Sequence, residues 1–456
     1  MFYRKISEKI REHLLSGTDR ILLIDGARQV GKSFIIRYVG KAEFKYFVEI
    51  NLLEDKNEQG LFSDIRSTEE FYLQLSIAAG GKLGDRTDTL VFLDEIQAYP
   101  QLLTMLKFLR SEGRYNYIAS GSMLGIALKK TVSIPMGSIE QVHMFPMDFE
   151  EFLMAYGIGS DVIDRVRRSF KEKKSLPEGV HQKLLLLFKY YLISGGMPDA
   201  VKAFVERKNI PEMRNIQAEI REFYATDASQ YDEENRLKIR KIYDMIPSLM
   251  ENRKKRIIAK NIENKSGATF QGYKEEFDYL TASGISLDVK AVPTPVFPLT
   301  QGSEKNLLKL YMNDPGLLTA VLYGNNINAV LNDRLSINLG SVYETAVACE
   351  LKAHGYELYY YDNRKKGEVD FLIDDYSSLS VLPVEIKSGK DYNIHAALDR
   401  FISNEDYSAE EAYVFSNSGE IKTDGKITYY PIYMCMCMQK NDITSLPEIE
   451  QIGFEA

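Results

Sequence analysis

Apolar residues Ile6, Ile10, Leu14 and Leu15 repeat with the period of a helix and predict one within residues 1–20. The next apolar run, Ile21-Leu-Leu-Ile24, is short and reads as a buried strand that stops at Gly26. Onward from there, strand-like runs (Phe44–Ile50, Leu90–Leu93, Tyr117–Ala119) alternate with helical ones (Phe34–Val39, Thr68–Ala79, Leu102–Leu109). That alternation predicts a parallel α/β sheet in a first domain, residues 1–157.

Strand patterning then fades. Residues 158–210 hold the apolar run Leu184–Ile193 and the break Gly195-Gly196-Met197-Pro198, and read as a helical lid. Residues 211–300 carry three amphipathic helical patterns followed by Val292-Pro-Thr-Pro-Val-Phe-Pro298, which predicts a helical or winged-helix-like module ending in an extended linker. Mixed α/β patterning returns over 301–456. No internal repeat is seen.

Composition narrows the class. The chain has 456 residues, enough for two to four cores; 45% are hydrophobic and 27% charged, as in ordinary globular proteins. No apolar stretch is long enough for a membrane span, and the amino terminus lacks a secretory core, so the expectation is a cytoplasmic protein with no membrane partner. The three cysteines include Cys435 and Cys437, whose spacing does not suit a zinc knuckle, and the five histidines show no metal-site pairing. A net charge of −8 argues against a wholly basic nucleic-acid coat, while leaving local patches such as Arg253-Lys-Lys-Arg256 and Arg364-Lys-Lys366.

The chemistry begins at Gly26-Ala27-Arg28-Gln29-Val30-Gly31-Lys32-Ser33, which fits G-x-x-x-x-G-K-[ST] between a strand and a helix that continues through Phe34. The glycines allow backbone N–H groups to turn inward on phosphates, and the helix that follows presents its positive end. Lys32 is placed to bridge the outer phosphates and Ser33 to hold Mg2+, with ATP as the expected nucleotide. Some sixty residues on, Leu90-Val-Phe-Leu-Asp94-Glu95 ends an apolar strand in two acids. Asp94 suits magnesium, and Glu95 suits orienting or deprotonating the attacking water. Tyr117-Ile-Ala-Ser120-Gly-Ser122 ends in hydroxyls that read either as γ-phosphate sensors or as ordinary turn chemistry. Arg110 and Arg114 read either as trans-acting arginines or as solvated ones.

Together, G-A-R-Q-V-G-K-S, V-F-L-D-E-I-Q, A-S-G-S, F-P-M-D-F-E-E-F-L (145–153) and S-G-G-M-P (194–198) resemble the prokaryotic AAA-type P-loop ATPases with an uncharacterised C-terminal domain. The resemblance implies an AAA-like parallel sheet with an inserted second strand, a helical lid, a winged-helix-like module and a restriction-endonuclease-like terminal domain. Related chains carry an arginine after the glycine preceding the F-P box, where this chain has Ser138 after Gly137.

In the last third, Glu368-Val-Asp370-Phe-Leu-Ile373 and Leu382-Pro-Val-Glu385-Ile-Lys387 read as adjacent strands, with Glu385 and Lys387 on one face. This resembles a PD-(D/E)xK nuclease core without its first Pro-Asp. Asp370 and Glu385 could ligate Mg2+, Lys387 could orient water and Glu344 could complete the shell; the same strands also read as charged edges that block aggregation. The expected function is an ATP-hydrolysing switch acting on the nuclease-like domain. The rivals are an ATP-regulated, metal-dependent DNA nuclease and a non-catalytic, ATP-dependent module that binds DNA or a protein partner. A homo-oligomer is compatible with each.

Overall fold

The computed structural model describes residues 1–440 other than 59, 123–136, 231–235, 253–254, 264–266, 333–338, 364, 390–391 and 408. Arg253, Lys254 and Arg364 of the two basic runs therefore lie outside the described residues. The chain divides into two compact units, one of Met1–Asp164, Leu186–Asp288 and Leu308–Cys349, the other of Arg165–Leu185, Val289–Leu307 and the residues from Glu350 onward.

The first unit is organised by five strands: β1 (Ile21–Asp25), β2 (Tyr46–Asn51), β3 (Thr89–Asp94), β4 (Asn116–Ser120) and β5 (Ile139–His143). Their order is β2-β3-β4-β1-β5, and every pairing is parallel. Parallel neighbours need crossovers, here the helices Lys32–Glu43, Thr68–Ala79 and Pro100–Glu112, so the central strands are covered on both faces. This is why β1 and β3 read as unbroken apolar runs: each is buried at every position. Leu23, Val91 and Leu93 pack with Phe71, Leu75 and Leu106 in one core. Register decides where the chemistry falls. Ile24 lies opposite Ser120, and Leu93 opposite Ala119, so β1, β3 and β4 end together and their next residues share one sheet edge.

Helices Ser160–Glu172, Glu178–Ser194 and Pro198–Val205 occupy the stretch expected as a lid. Helices Ile210–Gln230, Arg236–Met250, Ala259–Glu263 and Lys274–Ala282 follow, then β6 (Ser286–Ala291) and β7 (Glu304–Met312), which neighbour each other in a second sheet. An isolated antiparallel bridge joins Arg256 to Lys309.

The second unit holds β8 (Tyr359–Asn363), β9 (Gly367–Asp375), β10 (Ser380–Lys387), β11 (Ala412–Ser416), β12 (Lys422–Asp424) and β13 (Ile427–Pro431), in the order β12-β13-β11-β10-β9-β8. It is a mixed sheet: β9 pairs antiparallel with β10, whereas β10 with β11 and β11 with β13 are parallel. Its core joins Tyr361, Val369, Leu372, Phe401 and Val414. Phe170 stacks at 4.4 Å on Tyr430, which explains why residues 165–185 belong to this unit although they lie far away in sequence. The terminal mixed α/β block expected over 301–456 is thus shared out: residues 308–349 belong with the first unit. Periodicity detects elements, but which core an element joins depends on contacts hundreds of residues apart. Among the described residues, no helix is long and apolar enough to cross a membrane.

Candidate functional site

The loop after β1 turns on residues with positive φ: Gly26 at 134°, Gln29 at 65° and Gly31 at 96°. At Gly26 a Cβ would sit 2.2 Å from the carbonyl oxygen of Met144, so both the dihedral and the space require glycine. Helix Lys32–Glu43 begins directly on this loop, with Gly31 as its left-handed cap. Lys32 is buried, and its Nζ donates to the carbonyls of Gly26 and Ala27, each at 2.8 Å. Burial lowers its pKa to about 8, while the negative charges of Glu95 and Asp94 pull the other way. A buried ammonium beside an open cavity is a strong anion receptor, because a phosphate would relieve the cost of hiding its charge.

The three strand ends meet here. Ser33 Oγ donates to Asp94 Oδ2 at 2.7 Å, and Ser120 Oγ donates to Asp94 Oδ1. Glu95 follows in a left-handed conformation, φ 54°, with its carboxylate near Gln97 and Ser122; Ser122 Oγ donates to Glu95 Oε2 at 3.3 Å. Ser33 and Asp94 thus bring a hydroxyl and a carboxylate oxygen together, the ligand type that hard divalent cations accept. Ser120 and Ser122 both lie in this cluster, Ser120 on Asp94 and Ser122 on Glu95.

A cavity of about 470 Å³ opens over Lys32, Ser33 and Glu95. Arg28 lines it from the loop, Phe34 from helix Lys32–Glu43, Phe2 from the amino terminus and Lys202 from helix Pro198–Val205. Arg4, also at the cavity wall, braces the loop: its Nη1 donates to the Val30 carbonyl at 2.8 Å, its Nη2 to the Phe145 carbonyl at 2.7 Å and its Nε to Glu151 at 3.0 Å. Tyr224 donates to the Arg28 carbonyl at 2.7 Å, and the Arg28 guanidinium lies 5.5 Å from the centre of the Phe223 ring.

The F-P-M-D-F-E-E-F and S-G-G-M-P segments prove to be fitted to each other. Met147 N donates to Gly196 O at 2.8 Å, and a Cβ on Gly196 would lie 2.0 Å from the Met147 carbonyl oxygen. Gly196 N in turn donates at 2.6 Å to the buried carboxylate of Asp314, which caps helix Pro315–Tyr323. These residues place Pro198 and Lys202 at the cavity wall.

Other candidates fall elsewhere. Arg110 is engaged with Asp19 at 2.7 Å and with the buried Ser138 hydroxyl at 3.4 Å, and Ser138 O accepts from Ile21 N, so both sit at the sheet edge opposite the phosphate loop. Arg114 stacks on Tyr72 at 4.7 Å. Glu344 belongs to the first unit, where it pairs with Lys255 and accepts from Tyr311 at 3.1 Å. In the second unit, Lys387 pairs with Glu385 at 2.8 Å on one face of β10, and Asp370 accepts from Ile386 N at 2.8 Å. Among the described residues, no group of three or more His, Cys, Asp or Glu side chains is arranged to hold a metal ion.

Sequence reasoning missed Arg4, Gln97, Phe223, Tyr224 and Asp314. Gln97 stands inside the V-F-L-D-E-I-Q segment and Asp314 before a Pro-Gly helix start, whereas nothing local marks Arg4 or Tyr224.

Residues 18–153 match the family described as an AAA domain. Residues 185–328 and 339–435 match two domains of unknown function, DUF8612 and DUF4143. No curated protein matches. Among solved structures, the Walker-type ATPase PABY2304 of Pyrococcus abyssi is 15% identical, covering 71% of this chain and 96% of its own, with a TM-score of 0.44. The Aeropyrum pernix ORC1 protein, solved in complex with DNA, is 13% identical over 74% of this chain and 93% of its own, with a TM-score of 0.30. These two likenesses are loose. The phosphate-loop motif, the parallel sheet and the family match converge instead on one statement: residues 18–153 form an AAA-type P-loop domain.

Proposed function

We propose that this chain binds and hydrolyses ATP with Mg2+ and uses the cycle as a conformational switch. The observation that carries the reading is the 2.7 Å bond from Ser33 to Asp94 beside the buried Lys32. Residues Gly26 to Phe34 cradle the phosphates, Lys32 neutralises the outer ones, and Ser33 and Asp94 hold the magnesium ion. That ion would offset charge developing on the phosphates. Glu95 orients the attacking water and takes its proton, and Ser120 and Ser122 report on the terminal phosphate. Helix Pro198–Val205, reaching the cavity through Lys202, is the element that ATP would draw inward.

The experiment is ATP turnover by purified wild-type protein and by Glu95→Gln, with a fluorescent ATP analogue to measure affinity. The variant should bind with near-normal affinity and lose at least a hundredfold in turnover. Equal rates would remove the role given to Glu95, and magnesium-independent or absent binding would remove the reading as a whole.

What the switch acts on is a further part of the same proposal. Helix Arg236–Met250, the bridge at Arg256, helices Ala259–Glu263 and Lys274–Ala282, then neighbouring β6 and β7, follow the order of a winged helix. The exposed residues of its last helix include Lys274, Glu275 and Asp278, a net acidic set that disfavours DNA phosphates. The Asp370, Glu385 and Lys387 set is read as a nuclease-like remnant on which the switch could act.

A further inference from the structure

Glu95 adopts a left-handed backbone conformation, φ 54°, that costs a residue with a side chain on the order of 1 kcal/mol or more and persists only where the surroundings enforce it. Here the enforcement is visible. A single 3-10 turn, Ile96–Ala98, follows at once, closed by Ala98 N donating to Glu95 O at 2.9 Å and anchored by the fully buried Ile96. The turn folds the Gln97 side chain back over the carboxylate two residues earlier. Its Nε2 donates to Glu95 Oε2, and Ser122 Oγ donates to the same oxygen at 3.3 Å; Gln97 Nε2 also lies 3.5 Å from Ser122 Oγ. The amide must present its nitrogen here, because its carbonyl would face a carboxylate. Gln97 Oε1 has no hydrogen-bond partner among the described residues, so the side chain is oriented by its nitrogen.

We infer that Gln97 is a positioning residue for hydrolysis: with Ser122 it fixes Oε2 of Glu95, leaving Oε1 directed to the water that attacks the terminal phosphate. The inference rests on the reading of Glu95 as the base. Glu95 lines the nucleotide cavity and Gln97 does not, so Gln97 acts through the carboxylate rather than on the substrate. A carboxylate free to rotate spends less time aligned, and a small misalignment costs rate without costing affinity.

The test is a double-mutant cycle on the full chain, with phosphate release followed at saturating MgATP. Gln97→Met keeps length and removes the donor. Its kcat should fall about tenfold with KM within threefold of wild type. In the Glu95→Gln background the same substitution should change kcat by less than twofold, because the carboxylate it serves is gone. Should Gln97→Met fold poorly, Ser122→Ala goes through the same cycle: a loss through Glu95 should shrink below twofold in the Glu95→Gln background, whereas a loss through the terminal phosphate would persist there and overturn the inference. A Gln97→Met rate within twofold of wild type overturns the inference, as does an equal fold-loss in both backgrounds, the mark of a merely structural role. Should Glu95→Gln alone turn over like wild type, the base assignment itself falls, an outcome separate from both.

Discussion

Arg4 and Glu151, 147 positions apart, form an ion pair of 3.0 Å with both side chains almost wholly buried. The same guanidinium holds the Val30 carbonyl, so the F-P-M-D-F-E-E-F segment is bound to the Gly26–Ser33 loop through an amino-terminal arginine. Glu151 also caps its own helix with Asp148. Burial raises the Glu151 pKa, and the Arg4 charge opposes that rise. Replacing one partner strands the other.

Arg4→Ala should therefore destabilise the protein by about 3–5 kcal/mol, the range for breaking a buried ion pair from one side. Urea unfolding of the single variant and of Arg4→Ala with Glu151→Gln would check this. The double variant should recover part of the loss, since it no longer buries an unpaired carboxylate.

Lys32 gives an opposite expectation for the nucleotide-free protein. Its pKa is about 8 when folded against 10.5 ordinarily, so the folded state disfavours the ammonium. The cost is complete below about pH 8 and fades as pH rises from there toward 10.5, where the unfolded chain also loses its proton. Lys32→Met should stabilise the ligand-free protein at pH 7 by up to about 3 kcal/mol, less whatever its two carbonyl contacts contribute. The gain should shrink above pH 8. Thermal midpoints with and without MgATP would show the trade: the variant starts higher and gains nothing from nucleotide.

Asp314 supplies a pH dependence of different sign from most carboxylates. Burial pushes its pKa up to about 6 from 3.8, against the opposing N–H donors of Gly196, Leu317 and Gly316 and the charge of Arg214. A raised acid binds its proton more tightly when folded, so its contribution declines as pH rises from about 4 to 6. The stability difference between Asp314→Asn and wild type should move in favour of asparagine across that window by at most about 3 kcal/mol. Paired denaturation curves at pH 4 and 7 measure the change, and a constant difference would contradict the assignment.

Much of the geometry of the Gly26–Ser33 loop was legible because its determinants are local. The loop from Gly26 to Ser33 needs glycine at positive φ and a helix starting at once, and both conditions are written in eight consecutive residues. Strand ends were legible too: unbroken apolar runs mark β1 and β3, and the acids follow the last apolar residue. That Asp94 meets Ser33 depends also on the strand order, in which β4 stands between β3 and β1. For the C-terminal strands, alternation correctly put Glu385 and Lys387 on one face of β10, but the local pattern held nothing about what Glu344 pairs with.

Sequence alone thus determined the glycine-rich turn, the acids at the strand end and the order of strands and helices along the chain, since periodicity and glycine stereochemistry act within a few residues. Only the tertiary structure decided that Arg4 braces Val30, that Tyr224 holds the Arg28 carbonyl, that Gln97 grips Glu95 and that residues 308–349 join the first unit. A buried arginine, a tyrosine hydroxyl or a stretch of helix takes its role from the partner that burial leaves within about 3 Å, and that partner is chosen by packing rather than by neighbours in the chain.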